Sequence, residues 1–160
     1  MSILRYLMFL SLIVWVGGLI FFAFVVAPTA FAVLPTRHLA GNVVARSLPA
    51  LHWMGMISGV VFLACSLIYS RLATGTAHPW AARNVLLLIM LVLTAISQFG
   101  IIPQMDTMRA SMGEIDSVSM TDPARVQFDA LHVWSTRLES GVLLLGLVAA
   151  YLAAQPLAAL

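Results

Sequence analysis

The chain has 160 residues, 62% of them hydrophobic and 9% charged, with a mean hydropathy of +1.02. Soluble domains carry about 25% charged residues, and a soluble domain of this size cannot hide so much apolar surface, so the solvent for most of the chain is lipid. Eight arginines and no lysine give a small, dispersed basic excess without the clustered, aromatic-interleaved patch that nucleic-acid binding requires. The expected partners are the lipid bilayer and either a second copy of the chain or a larger membrane complex. The single cysteine, Cys65, excludes an internal disulfide and a Cys-based zinc site, and reads as a small apolar filler.

A spanning helix needs about 20 apolar residues, and the chain offers four such stretches, at about 3–27, 51–70, 84–102 and 131–154, in a single transmembrane domain 1–160. The first is far longer than the 7–15 apolar residues of a signal peptide. Despite a passable cleavage site at Ala30-Phe31-Ala32, it therefore reads as a retained helix. Gly17 and Gly18 beside Trp15 predict close approach by a neighbouring helix, and Pro28 and Pro35 should end or kink the segment. Residues Thr36 to Pro49 read as an interfacial connection, with a short amphipathic helix as one form it could take.

The second segment opens on His52 and Trp53 and carries Gly55-x-x-x-Gly59, a spacing that lets helix backbones pack closely in lipid. Arg71 to Arg83 is a turn in which Trp80 and the two arginines are natural interface anchors. The third segment holds Ser97 and Gln98 near its end, just before Pro103. Residues Gln104 to Asp122 form the longest polar stretch, with four of the six acids; Met105, Met108 and Met112 recur there at helical spacing and predict an interfacial helix in the third loop. Thr121-Asp122-Pro123 is a helix start, an N-cap followed by proline at the first helical position. The expected fold is all-α, a polytopic four-helix transmembrane bundle running up-down-up-down. Both termini then lie on one side with Arg5, Arg71 and Arg83 and no acid. By the positive-inside rule that side is taken as the cytoplasmic one, of a bacterial cytoplasmic membrane.

The sharpest chemical signal is Arg125 to Ser140. On a helix, Arg125, Asp129, His132, Thr136 and Glu139 fall within about 80° of one another, a polar stripe entering an apolar chain. Counting back from Ala154 puts Glu139 about one turn inside the hydrocarbon and His132 at the interface. His52 and Gln98 stand at the same end of their own segments, so His52, His132, Gln98 and Glu139 could converge at one end of the bundle. Ionisable residues at membrane depth usually face an interior or a cavity. Arg137 lies off the stripe and reads as snorkelling toward the headgroups.

Two neutral imidazoles on facing helices are suitable axial ligands for haem. Most of the methionines lie on the histidine face, and thioethers with imidazole suit copper(I). The candidate cofactors are thus haem b or copper. Candidate metal ligands are His52, His132, Met56 and Met108, although no tight Met-x-Met repeat or Cys-x-x-Cys accompanies them.

Several motifs carry a family likeness. Trp15-Val-Gly-Gly through Phe31 to Leu34-Pro35, the Ala40-Gly41 segment, His52, Ile102-Pro103 with Met108-Arg109, and Phe128-x-x-x-His132-x-x-Ser135 resemble the transmembrane-protein-205-like family. These are small four-helix membrane proteins with a domain of unknown function, more remotely similar to CopD-like and HemJ-like bundles. The likeness covers nearly the whole chain in order. It implies four spanning helices with His52 and His132 at family-pattern positions, and no established reaction. A eukaryotic member is linked to cisplatin resistance, which points to metal or drug handling. This chain departs from the pattern at Glu139, where members often carry Asn.

Three classes of function follow as expectations. The first is a ligand-binding membrane module with its site near the outer leaflet. The second is a small transporter or metal- or drug-resistance component, with Glu139 as the titrating group and an oligomer required. The third is an accessory or assembly subunit of a membrane complex. An enzyme is least supported, because no nucleophile–base pair or metal-ligand signature stands out.

Overall fold

Four rods account for nearly all of the computed structural model, which describes residues 1–155. In the first, α1 (Ser2–Phe21) passes through a π-helical turn, Phe22–Val26, into α2 (Ala27–Val33). The second is α3 (Arg37–Thr74). In the third, α4 (Ala82–Ile96) passes through a second π turn, Ser97–Ile101, into α5 (Ile102–Met112). The fourth is α6 (Pro123–Ala154). Each rod is long and apolar enough to cross a membrane, and there is no strand among the described residues.

Prolines shape these rods without stopping them. Pro28 and Pro103 each sit two residues past a π turn. A proline lacks the N–H that would reach the carbonyl four residues back, and its ring clashes with that carbonyl. Widening the preceding turn relieves the clash: the N–H of Ala27 reaches the Phe22 carbonyl, and that of Ile102 reaches Ser97. The first rod therefore continues beyond residue 27 and ends at Val33, where Leu34, held extended ahead of Pro35, breaks it.

Two expected connections are absorbed in the same way. Thr36 caps α3, its Oγ1 accepting from the Leu39 N–H at 3.2 Å. From there the helix runs unbroken through Pro49 to Gly75, whose positive φ of 80° terminates it. The stretch 36–49 is thus the first third of α3, not a separate connection. The helix predicted over Met105–Met112 is present as α5, the continuation of the third rod past Pro103. The third loop, Gly113 to Asp122, keeps only a short 3-10 turn at Ile115–Ser117.

Asp122 caps α6 as its spacing predicts, Oδ1 accepting from the Ala124 N–H at 2.8 Å. Arg125 then fastens the loop: Nη1 donates to the Ile115 carbonyl at 2.6 Å while Nε donates to the Asp129 carboxylate. Arg125→Ala should raise amide hydrogen exchange across residues 113–122 severalfold and leave exchange in the lower half of α6 unchanged.

The helices pack as a ring, α1 on α3, α3 on α4, α4 on α6 and α6 on α1, so α3 and α6 face each other across the interior. Trp15, Phe62, Leu87, Met90 and Val142 fill the centre, each at most 1% exposed. Trp15 lies against both glycines of Gly55-x-x-x-Gly59: a methyl on Gly55 would collide with the indole nitrogen, and one on Gly59 would come within 2.6 Å of Cζ3. Of the expected glycine pair only Gly18 faces α3, where a methyl would meet Met54 and Leu51; a methyl on Gly17 would meet nothing within 4 Å. Ile13, Phe24, Ile57, Leu72, Leu144 and Tyr151 point outward, as a lipid-facing surface should. Residues 47–70 and 84–105 carry no formally charged side chain. At 1.5 Å per residue these stretches are about 33–36 Å long, slightly more than the ~30 Å hydrocarbon core.

Candidate functional site

Three polar side chains from three rods meet inside this belt. His52 on α3 is 1% exposed. Its Nδ1 lies 2.9 Å from Gln98 Oε1, in the second π turn, and its Nε2 lies 2.6 Å from Glu139 Oε1, on α6. The His52–Glu139 bond therefore crosses the ring of helices on its diagonal. His52 is six residues past Arg46 and Gln98 eight before Asp106, about 9 and 12 Å inside the flanking charges. Both fall in the outer third of the belt, at the end away from the termini.

Local structure explains the convergence. His52 stands one turn after Pro49, within the unbroken α3. Gln98 owes its position to the widened turn ahead of Pro103; π turns inside helices recur at functional sites. Glu139 lies near the middle of α6, two residues past Arg137. Arg137 is exposed, with its guanidinium 5.4 Å from the centre of the Trp134 ring. Helical side chains lean toward the N-terminus, so this arginine reaches the headgroup level while Glu139 stays within the bundle.

The donor inventory fixes how protons are held. Gln98 Oε1 can only accept, so Nδ1 of His52 carries a hydrogen. Nε2 and Glu139 Oε1 then share one proton: an imidazolium donates to a carboxylate, or a carboxylic acid donates to a neutral imidazole. Both forms have no net charge, which is the form lipid tolerates. Glu139 Oε2 is buried and has no hydrogen-bond partner among the described residues. Ser97 Oγ, next to Gln98 in the π turn, is also buried and unpartnered.

His52, Gln98 and Glu139 thus come together, with the histidine between the other two. His132 does not join them. It lies seven residues before Glu139, about 10 Å nearer the helix start. It is exposed, and its ring makes no hydrogen bond or ion pair among the described residues. The upper stripe is satisfied locally, Arg125 by Asp129 and Thr136 by the His132 carbonyl.

The proposed metal set does not assemble either. Met56 lies one turn deeper than His52, and Met108 lies ten residues past Gln98 in the opposite direction, an axial separation of about 20 Å. No group of three His, Cys, Asp or Glu that could hold a metal ion occurs among the described residues. For haem or copper at His52, a ring nitrogen would first have to leave Gln98 or Glu139. These donors do not fit either cofactor in this arrangement.

Sequence reasoning also missed Arg83. Read as an interface anchor, it is only 4% exposed, and its Nε donates to Ser66 Oγ on α3 at 3.1 Å. No pattern in the sequence marks that burial.

Four spanning helices around an internal polar cluster define an integral, polytopic helical membrane protein. Residues 10–114, about two thirds of the chain, match the family model described as Domain of unknown function (DUF4149), and the chain belongs to that family. The match includes His52 and Gln98 and stops before α6, so Glu139 lies beyond it. No curated protein and no solved structure matches the chain.

Proposed function

We propose that the protein is a proton-binding membrane module, the proton-handling part of a small carrier that works as an oligomer or within a larger complex. The observation that carries this reading is the 2.6 Å bond between His52 Nε2 and Glu139 Oε1 in the apolar belt. In it, Glu139 is the group that exchanges the proton, His52 is its acceptor, and Gln98 is the positioning residue that holds the imidazole in one tautomer. The free Oε2 of Glu139 supplies the point at which a proton enters or leaves. The arginine distribution favours termini on the cytoplasmic side, which sets the pair nearer the outer face.

The test separates proton exchange from mere helix-to-helix adhesion. In Glu139→Gln the amide N–H can donate to Nε2 as the protonated acid does, so the fold is retained, but no proton can be exchanged. Infrared difference spectra after a pH jump, on protein in lipid, should show a carboxylic C=O band rising together with imidazole ring changes. Both signals should be absent from Glu139→Gln and altered in Gln98→Leu. If no pH-dependent band depends on Glu139, the reading fails. Proton flux into proteoliposomes that is no faster with wild type than with Glu139→Gln would restrict the pair to a structural role.

A further inference from the structure

At the opposite end of the bundle, where α3 turns into α4, the structure holds a second polar feature that the proton pair does not use. A cavity of about 570 Å³ opens there, lined by residues that include Tyr69, Thr74, His78, Trp80 and Arg83. Arg83 lies at its inner wall, 96% buried by residue area. Only its Nε has a partner, Ser66 Oγ. Neither terminal nitrogen makes a hydrogen bond, and no carboxylate pairs with this arginine, among the described residues. The guanidinium cannot shed its charge, and its two terminal nitrogens keep accessible surface and meet no counter-ion among the described residues.

No acidic side chain in the sequence falls at this end of the bundle. Every acidic side chain lies between Asp106 and Glu139, on the third loop and the helix segments bordering it. The end that carries Arg83 also carries Arg5 and Arg71 and no acid. The smaller polar groups around the cavity are already committed: Ser70 Oγ donates to the Leu67 carbonyl and accepts from the His78 N–H, and Thr74 Oγ1 donates to the Ser70 carbonyl. Among the described residues the Tyr69 hydroxyl and the terminal N–H groups of Arg83 remain without a partner at the cavity, and the guanidinium fork is the geometry that recognises phosphate oxygens bidentately.

We propose that this cavity binds the phosphate group of an anionic phospholipid. The position favours a lipid over a soluble phosphate. Arg83 begins the charge-free stretch 84–105, so its guanidinium lies at headgroup depth. Trp80, 83% exposed, lines the cavity as apolar surface at the interface.

Native mass spectrometry and thermal shift of the full chain in phosphatidylcholine nanodiscs test this, with phosphatidylglycerol titrated in. Phosphatidylglycerol should bind and raise the melting temperature, and Arg83→Gln should weaken its binding at least tenfold. Arg71→Gln, which removes an exposed charge from the same end, should change it less than twofold. Because Arg83→Gln removes a packed side chain, Ala73→Phe serves as a second probe: it fills the cavity from its exposed rim and should abolish binding with Arg83 intact. Equal retention of phosphatidylcholine and phosphatidylglycerol, or binding unaffected by both Arg83→Gln and Ala73→Phe, would overturn the proposal. Glycerol phosphate or inorganic phosphate competing at the concentration of the lipid would overturn its lipid source.

Discussion

Glu139→Leu destabilises the bundle by about 3 kcal/mol and His52→Leu by a similar amount, while the double variant falls within about 1–2 kcal/mol of wild type. The asymmetry follows from the geometry. Removing Glu139 alone leaves His52 Nε2 without a partner at 1% exposure, and an unpaired buried polar group carries its full desolvation cost. Removing His52 alone strands both Glu139 and Gln98. Replacing both with leucine removes the mismatch and leaves only Gln98 Oε1 short of a partner, worth about 1 kcal/mol. Glu139→Gln should sit close to wild type, because an amide can fill the role of the protonated acid. Unfolding in one fixed detergent mixture, run as a double-mutant cycle, measures the coupling. Additive single effects would mean that the two side chains do not act on each other, and the proton-pair reading would lose its physical basis.

That pair was visible in the sequence because lipid makes polar residues conspicuous. His52 and Gln98 stand out in charge-free runs, six and eight residues inside the nearest charges, and counting back from Ala154 puts Glu139 about one turn inside the hydrocarbon, so the three fall near one level. For His132 the shared helix face misled, although the depth count had already set it at the interface. Its helical angle is within about 20° of Glu139, so it shares that face, but two turns nearer the helix start nothing packs over it, and coverage is a property of the neighbours. The prolines were equally legible and equally ambiguous. Pro28, Pro49 and Pro103 could each have ended a helix. In lipid an interrupted helix leaves backbone groups that no water can satisfy, and a widened turn or a single lost bond is the cheaper outcome. This is why α3 continues through Pro49 and the third rod through Pro103, both of which lie inside the belt. Arg83 was hidden for the opposite reason: an arginine beside an apolar run ordinarily marks the interface, and only the apposition of Ser66 on α3 shows that it turns inward.

The packing centre yields the second large effect. Trp15→Ala should cost about 3–5 kcal/mol, since the indole is 1% exposed and lies flat on two glycine backbones. Between helices in lipid no hydrophobic drive operates, because acyl chains are as apolar as the side chains, so close packing carries the association. The contact therefore needs both halves, a broad flat ring on α1 and two positions without a Cβ on α3. Gly55→Ala forces a methyl into the indole and should cost about 1–3 kcal/mol in the wild-type chain. With Trp15 already alanine, the same methyl enters vacated space, and Gly55→Ala should then be neutral or stabilising. The prediction is a coupling whose sign reverses the single effect, read from melting temperatures of the four proteins in one detergent. If Gly55→Ala costs the same in both backgrounds, the Gly55-x-x-x-Gly59 spacing does not serve Trp15. The α1–α3 pairing would then have to rest on Gly18 against Met54 and Leu51 instead.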